Sequence, residues 1–151
     1  MNEQLFNLLT FLILLALGYG FGRWAESKHY KSILEREEIL NALPAIASRF
    51  PPAGKEYEQV LVMGSVVISV DYFKRFLAML RNLFGGRVVS YETLLDRARR
   101  EALLRMKEEA RKRHAKMVFN VKYETASISK GVKNTIGSVE VLAYGTALIK
   151  P

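Results

Sequence analysis

The sequence predicts an α+β protein, a small antiparallel sheet covered by two helices and preceded by one N-terminal transmembrane helix. Three observations predict it. An uncharged apolar run occupies residues 5–21. A valine-rich strand is followed by two segments with helical spacing of apolar residues, and two segments with period-two alternation come after them. The order strand, two helices, two strands, without an internal repeat, is typical of helices layered on an antiparallel sheet.

The apolar run LFNLLTFLILLALGYGF has 17 residues. As a helix it is about 25 Å long, close to the lower limit for crossing a bilayer, and Trp24 extends it as an interfacial anchor. The alternatives are a signal peptide and a buried core helix. MNEQ lacks the positive charge of a signal peptide, GRWAES is a poor cleavage site, and the remaining chain is too small to surround a core helix. We therefore expect a transmembrane anchor over residues 1–24.

Positive charge predicts the orientation. No lysine or arginine precedes the apolar run, and four follow it closely, namely Arg23, Lys28, Lys31 and Arg36. The expected location is therefore an inner or plasma membrane, crossed once, with the N-terminus outside and the C-terminal body cytoplasmic. The chain carries +8 and Glu3 is the only charge before Arg23, so the body carries +9. Its basic runs at 97–100 and 111–113 lie among acids, which favours anionic lipid headgroups as partners and makes nucleic acid unlikely.

Four residues in or directly after the apolar run are candidates for helix packing in the membrane. Gly18 and Gly22 form a G-x-x-x-G pair, which lets helices approach closely in lipid, although a frayed helix end at the interface explains the pair equally well. Asn7 and Thr10 are polar and could form hydrogen bonds across a helix bundle.

Residues 25–44 are expected to form a charged helical stalk that is solvated and ends at Pro44. Ile33 and Leu40 are seven residues apart, a repeat too short to predict a coiled coil. The α+β domain follows over residues 45–151. It begins with a short strand at 45–48 and turn residues at 50–56.

The domain's first main strand, 57–70, is nearly continuous in apolar residues from Val60, which predicts that both of its faces are covered. Gly64 within it suggests a bulge or a close backbone approach. A helix capped by Asp71 is expected over 71–84. A longer helix is expected over 91–115, with a densely charged, solvated opposite side and an apolar stripe of Tyr91, Leu94, Leu95, Ala98, Ala102, Met106 and Ala110.

Two alternating strands close the chain. In 116–129, Met117, Phe119, Val121 and Tyr123 are expected on one face, and Asn120, Lys122 and Glu124 on the other. In 138–149, Val139, Val141, Ala143 and Ala147 are expected to share one face. The loop between the strands, 129–137, contains Lys130 and Lys133.

The turn LRNLFGGRVVSYE, 80–92, raises the question of phosphate binding. A phosphate loop usually follows a strand and carries more glycine, whereas Gly85 and Gly86 here lie between two helices. A left-handed helix cap followed by Ser90 as the next N-cap explains them better. The polar groups near the turn are candidates for a subunit-interface network, which we favour, or for a small anion pocket: Arg81, Asn82, Gly85, Gly86, Arg87, Tyr91 and Glu92.

Several motifs in order resemble the YbjQ-like family over roughly residues 45–150. They are the strand ending G-S-V-V, the helix ending L-R-N-L-F-G-G-R, Y-E opening the long helix, E-A-R-K before the next strand, and the final A-Y-G-T-A. The resemblance implies a small α+β subunit that assembles into a ring, typically a homopentamer, and some members are labelled heavy-metal-binding. Two surface loops depart from the family. Val88-Val89-Ser90 replaces a usual S-G-x, and His114-Ala115-Lys116 replaces a glycine-asparagine turn. The N-terminal anchor is an addition to the family pattern.

Little in the residues suggests catalysis. The chain has no cysteine, and neither His29 nor His114 has a partner histidine three or four residues away. We therefore expect no enzyme activity, no cofactor and no metal site within one chain. The carboxylates of the long helix are expected on a solvated face, although a site shared between subunits stays open: Asp96, Glu101, Glu108 and Glu109.

The expected function is therefore a membrane-anchored, ring-forming cytoplasmic binding or scaffold module, with copies of the same chain and the lipid bilayer as partners. The alternatives are an oligomeric pore or transport component and a metal-handling protein with sites shared between subunits.

Overall fold

A computed structural model describes residues 2–52, 56–69, 89–131 and 135–150 of the chain. It contains the helices α1 (Asn2–Leu40) and α2 (Val89–Lys112) and the strands β1 (Glu58–Ser69), β2 (Ala115–Gly131) and β3 (Thr135–Ile149). The three strands form one antiparallel sheet in the order β1-β3-β2. The α+β class, the antiparallel sheet and the long apolar N-terminal helix are confirmed, whereas the helix expected at 71–84 lies outside the described residues.

The core lies between α2 and one face of the sheet. The stripe predicted for α2 is confirmed at Leu94, Ala98, Ala102, Met106 and Ala110, which are all buried. The face predicted for β3 is also confirmed, since its four residues are at most 1% exposed. Small side chains on both elements allow the helix to lie close to the strands.

Gly64 is the point of closest approach between α2 and β1. A Cβ atom at this position would lie 2.4 Å from the Ala102 carbonyl oxygen and 2.4 Å from the Met106 nitrogen. The close backbone approach that the sequence suggested at Gly64 is therefore present, because only a hydrogen fits there.

The free edge of β1 is covered by side chains of α2 on either side of Gly64. The Met63 N–H donates to Glu109 Oε2 at 3.0 Å, and Arg105 Nη1 donates to the Ser65 carbonyl oxygen at 2.8 Å. These bonds satisfy backbone groups that an edge strand would otherwise leave open to pairing.

The prediction that β1 is covered on both faces is wrong for the single chain. Burial alternates along the strand, so Val62, Val66 and Ile68 face α2 while Leu61 and Val67 are exposed. A continuous apolar run does not reveal which of its faces one chain can cover.

The alternation predicted for β2 is also interrupted. Asn120 has a positive φ of 54°, and the pairing of β2 with β3 shifts register between Phe119 and Lys122. Phe119 is paired with Thr146, whereas Tyr123 is paired with Ala143 of the core face, so these two residues do not share a face as the alternation predicted. A bulge adds one residue to a strand and so changes which residues share a face beyond it.

The segment after α1 pairs with the outer edge of β2. The helix ends at Leu40, before the predicted stop at Pro44. Ala45 forms a parallel bridge with Val118, and the Asn120 N–H donates to the Ser48 carbonyl oxygen at 2.8 Å. The short strand expected at 45–48 is thus an extended segment that covers the second edge of the sheet.

His114 turns the chain from α2 into β2. Its φ of 59° is in the left-handed region, which a side chain with a Cβ atom rarely adopts. This is one of the two loops in which the sequence departs from the pattern implied by the family resemblance, and glycine or asparagine would take this conformation at lower cost.

Candidate functional site

The predicted Gly-Gly-Arg turn falls mostly on residues that the structure does not describe. Arg81, Asn82, Gly85, Gly86 and Arg87 lie outside the described residues. Tyr91 and Glu92 lie in the first turn of α2, of which only the backbone is described. The interface network and the anion pocket proposed for this turn stay predictions.

The four residues predicted for packing in the membrane all lie on α1. Asn7 and Thr10 are exposed, and the Thr10 hydroxyl donates to the Phe6 carbonyl oxygen at 2.9 Å within the helix. A Cβ atom on Gly18 would meet no atom within 4 Å. Gly22 instead borders a cleft between α1 and the domain. In a single chain the two glycines of the G-x-x-x-G pair therefore have different surroundings, since Gly18 is open and Gly22 faces the domain.

The second half of α1 is not a solvated stalk, as the sequence predicted, but packs along α2. Ile33 and Leu40 are buried against Leu104 in a small apolar cluster. The contacts advance together along both helices, from Glu26 with Arg97 to Leu40 with Lys107, so the helices run in parallel. The N-terminal end of α2 therefore lies beside the apolar half of α1.

Glu101 lies at the centre of this helix contact. Its side chain is only 4% exposed, and it accepts hydrogen bonds from Arg36 and from Arg105, whose Nε lies 2.8 Å from Glu101 Oε1. Burial by itself would raise the pKa of Glu101, but the hydrogen bonds from the two arginines outweigh it and hold the pKa below its ordinary value. The prediction of a solvated carboxylate is wrong at Glu101, which is ionised and paired between the helices.

Two further ion pairs join the same helices. Arg100 donates to Glu37 from Nε at 2.7 Å and from Nη2 at 2.5 Å, which is the bidentate arrangement that arginine and carboxylate favour. These hydrogen bonds lower the pKa of Glu37. Arg36 also lies 3.4 Å from Glu108 Oε1. Together with the pairs of Glu101, these ion pairs fix which residues of α1 lie beside which residues of α2.

The sequence contained a signal for this contact that was not used. On α1, Gly22, Glu26, His29, Ile33, Arg36 and Leu40 recur at three- and four-residue spacing. On α2, Arg97, Glu101, Leu104 and Glu108 recur in the same way. Two stripes with complementary charges and a few apolar residues indicate parallel helix packing.

A cleft of about 420 Å³ opens where the apolar half of α1 meets the domain. We call it the anchor cleft. Its walls are the α1 residues Gly22, Ala25, Glu26 and His29, the end of β1 from Val66 to Ser69, and the α2 residues Leu94, Arg97 and Arg105. Burial lowers the pKa of His29, and the charge of Glu101, 3.7 Å from its Nε2, only partly offsets this.

Arg97 is the least satisfied charged group of the cleft. Its side chain is 14% exposed, its Nη1 lies 3.4 Å from Glu26 Oε1, and its guanidinium lies 5.8 Å from the centre of the Tyr30 ring. Its buried Nε has no hydrogen-bond partner within the described part of the chain. A buried N–H without an acceptor is costly, so Arg97 has capacity for a further anionic partner.

Among the described residues, no group of three or more histidine, cysteine, aspartate or glutamate side chains is placed to hold a metal ion. His29 and Glu101 approach each other, but arginines occupy the remaining positions around Glu101.

Comparison with known proteins places the domain in a family. A family profile described as "Putative heavy-metal-binding", YbjQ, matches residues 52–150. A UPF0145 protein of Hahella chejuensis is 42% identical over 89 residues, which are 59% of this chain and 80% of that protein. A UPF0145 protein of Thermus thermophilus is 43% identical over 97 residues, covering 63% of this chain and 80% of the relative.

One solved structure is also similar. It is the crystal structure of a protein of unknown function from Pediococcus pentosaceus, assigned to the DUF74 family. Its identity is 15%, its TM-score is 0.42, and the match covers 72% of this chain and 98% of that one. The profile match spans well over half of the chain and leaves α1 outside it. The chain belongs to the YbjQ family.

Proposed function

We propose that this protein is a single-pass membrane protein whose YbjQ domain associates with further copies of itself into a ring on the cytoplasmic face, where it acts as a binding or scaffold module rather than as a catalyst. The observation that carries the proposal is the presence, in one chain, of two uncovered apolar surfaces. One is the first half of α1, and the other is the outer face of the sheet.

The first surface suits a bilayer. By length and composition α1 could cross a membrane, because its most apolar 18-residue stretch has a mean hydropathy of 1.9 and none of that stretch is buried by the domain. At the end of this stretch, Arg23 Nη1 donates to the Tyr19 hydroxyl at 2.9 Å, and the Lys28 ammonium lies 5.2 Å from the centre of the Trp24 ring. Aromatic rings paired with cations are typical of the membrane–water interface, and the positive charge that follows favours a cytoplasmic domain.

The second surface suits another copy of the chain. Leu61, Met63 and Val67 of β1 are exposed large apolar residues on the face of the sheet that is turned away from α2. A contiguous apolar patch on a folded domain is typical of an interaction site. Anchored copies share one plane and one height above it, which raises their effective concentration for one another and favours self-association. The family resemblance leads us to expect five subunits.

Native mass spectrometry of the full-length protein in mild detergent tests the proposal, with wild type expected as a pentamer. Leu61→Lys places a charge in the proposed contact and is expected to dissociate the ring into smaller species. Leu34→Lys is the matched control, because Leu34 is 56% exposed on α1 and Leu61 is 57% exposed on the sheet. A monomeric wild type would refute the ring, and an equal effect of both variants would contradict the assignment of the contact to the sheet.

A further inference from the structure

We propose that the anchor cleft binds a phosphate group, with Arg97 as its principal donor, and that the phosphate belongs to a lipid headgroup. The choice of lipid rests on the membrane orientation proposed above. The phosphate chemistry rests on the cleft alone.

The shape of the cleft suits a small ligand. Its volume of about 420 Å³ falls within the range of small-molecule sites. Gly22 and Ala25 give the α1 wall no bulky side chain, so among the described residues a space remains between the helix and the end of β1. Leu94 and the last apolar residues of β1 supply an apolar wall beside the polar groups.

The chemistry of Arg97 suits phosphate. A guanidinium presents N–H groups in a planar fork that matches two oxygens of one phosphate. The buried Nε of Arg97 lacks an acceptor within the described residues, and the contact of Nη1 with Glu26 is 3.4 Å, longer than the 2.7–2.9 Å typical of a charge-assisted hydrogen bond. A phosphate oxygen would accept from Nε and would complete the coordination that Glu26 leaves open.

The other charged groups determine the electrostatic potential in the cleft. Arg105 is already bonded to Glu101 and to the Ser65 carbonyl oxygen, so it contributes positive potential rather than a free donor. Glu26 is the one carboxylate among the described residues that line the cleft, and it competes for Arg97. His29 faces the same space, and a bound phosphate would favour its protonated form.

The position of the cleft selects the source of the phosphate. Gly22 borders it, and Tyr19, Arg23 and Trp24 mark the same level on α1. If α1 crosses a bilayer as proposed, this level coincides with the headgroups, where lipid phosphates are far more concentrated than any soluble phosphate.

The test uses the full-length protein in mild detergent, titrated with phosphatidylglycerol and, separately, with inorganic phosphate. Bound lipid is counted by native mass spectrometry, and phosphate binding is followed by calorimetry. We expect Arg97→Gln to weaken lipid binding by about tenfold or more, the size expected for loss of a charge-assisted pair. Glu26→Gln is expected to strengthen it, because it removes the competing carboxylate. Arg111→Gln, the same charge change at the far, exposed end of α2, is expected to leave it unchanged.

Opposite effects of Arg97→Gln and Glu26→Gln separate a ligand site from a structural ion pair, since both variants break the same pair. Equal losses in the two variants, or unchanged binding in Arg97→Gln, would overturn the proposal. Binding of inorganic phosphate with the affinity of the lipid would overturn the headgroup as the source and leave the site. The same spectra report the number of subunits, so a monomer that binds lipid would refute the ring alone, and a ring without lipid would refute the cleft alone.

Discussion

Replacing Gly64 by alanine is expected to destabilise the domain, although glycine-to-alanine changes within strands usually stabilise. The new Cβ atom would lie 2.4 Å from the backbone of α2 at two points and 2.7 Å from Arg105 Cβ, whereas ordinary contact begins at 3.4 Å. Since two of these neighbours are backbone atoms, no rotamer change relieves the overlap. The helix must move outward by about 1 Å, which forfeits up to half of the contact energy along the shared face.

The size of the effect follows from what α2 buries there. Met106 and the three alanines of the stripe contribute about 5 kcal/mol of apolar burial, so the movement costs about 2 kcal/mol. The hydrogen bonds that Glu109 and Arg105 make to β1 on either side of Gly64 lengthen with the same movement and add about 1 kcal/mol. Alanine also lowers the conformational entropy of the unfolded chain relative to glycine, which stabilises the folded state by about 0.5–1 kcal/mol and offsets part of this loss. The expected net loss is about 2 kcal/mol.

The assay is urea unfolding of the full-length protein in mild detergent, followed by circular dichroism, with hydrogen exchange of α2 amides as a local probe. Ser65→Ala is the matched control, because Ser65 is the next residue of β1 and faces away from α2. We expect the control to stay within about 0.5 kcal/mol of wild type. A Gly64→Ala variant as stable as the control would show that α2 does not lie against this backbone.

Three further changes test the helix contact and the turn. Glu101→Gln is expected to cost about 2 kcal/mol at pH 7, because Arg36 loses its buried partner; urea unfolding checks this, and a cost under about 0.5 kcal/mol would contradict it. The pKa of His29 is lowered in the folded state, so the unfolded state binds more protons and stability should fall as pH drops below about 6.5. In His29→Gln that part of the pH dependence should disappear from melting curves, and an unchanged profile would exclude His29 as its source. His114→Gly is expected to raise stability by up to about 1 kcal/mol, since glycine adopts the left-handed φ without strain; Arg113→Gly, one residue earlier, should lower it by about 1 kcal/mol.

The parts of the fold that the sequence predicted correctly are those with a strong local period. The stripe of α2 and the alternating face of β3 appear in the structure as expected, because burial on one side imposes a spacing that can be read along the chain. The alternation in β2 was misread beyond Phe119, since the bulge at Asn120 depends on pairing with β3 rather than on a local pattern.

The contact between α1 and α2 was missed for a related reason. Glu26 and Arg97 are 71 residues apart, and Glu101 and Arg36 are 65 apart. Charged residues look the same in sequence whether they face water or a partner helix, so the sequence predicted that the charged sides of both helices face water. The anchor cleft depends on this contact and was therefore not predictable either.

The apolar run of β1 is informative in a different way. Its sequence predicted two covered faces, and a single chain covers one. In the ring that we propose, a second copy would cover Leu61 and Val67, and the misprediction for one chain would become correct for the assembly. Sequence patterns reflect burial in the functional state, which includes neighbouring subunits.

The 39 residues of α1 form one unbroken helix that includes both the apolar half and the half docked on α2. The two halves therefore share a single rotational phase. Each residue turns an α-helix by about 100°, so one residue added between Gly22 and Glu26 would carry the apolar half to a different azimuth, while seven added residues would nearly restore it. In the ring that we propose, the ion pairs around Glu101 would therefore fix the direction in which each anchor faces its neighbours, and a tilt or rotation of the anchor would move the domain with it.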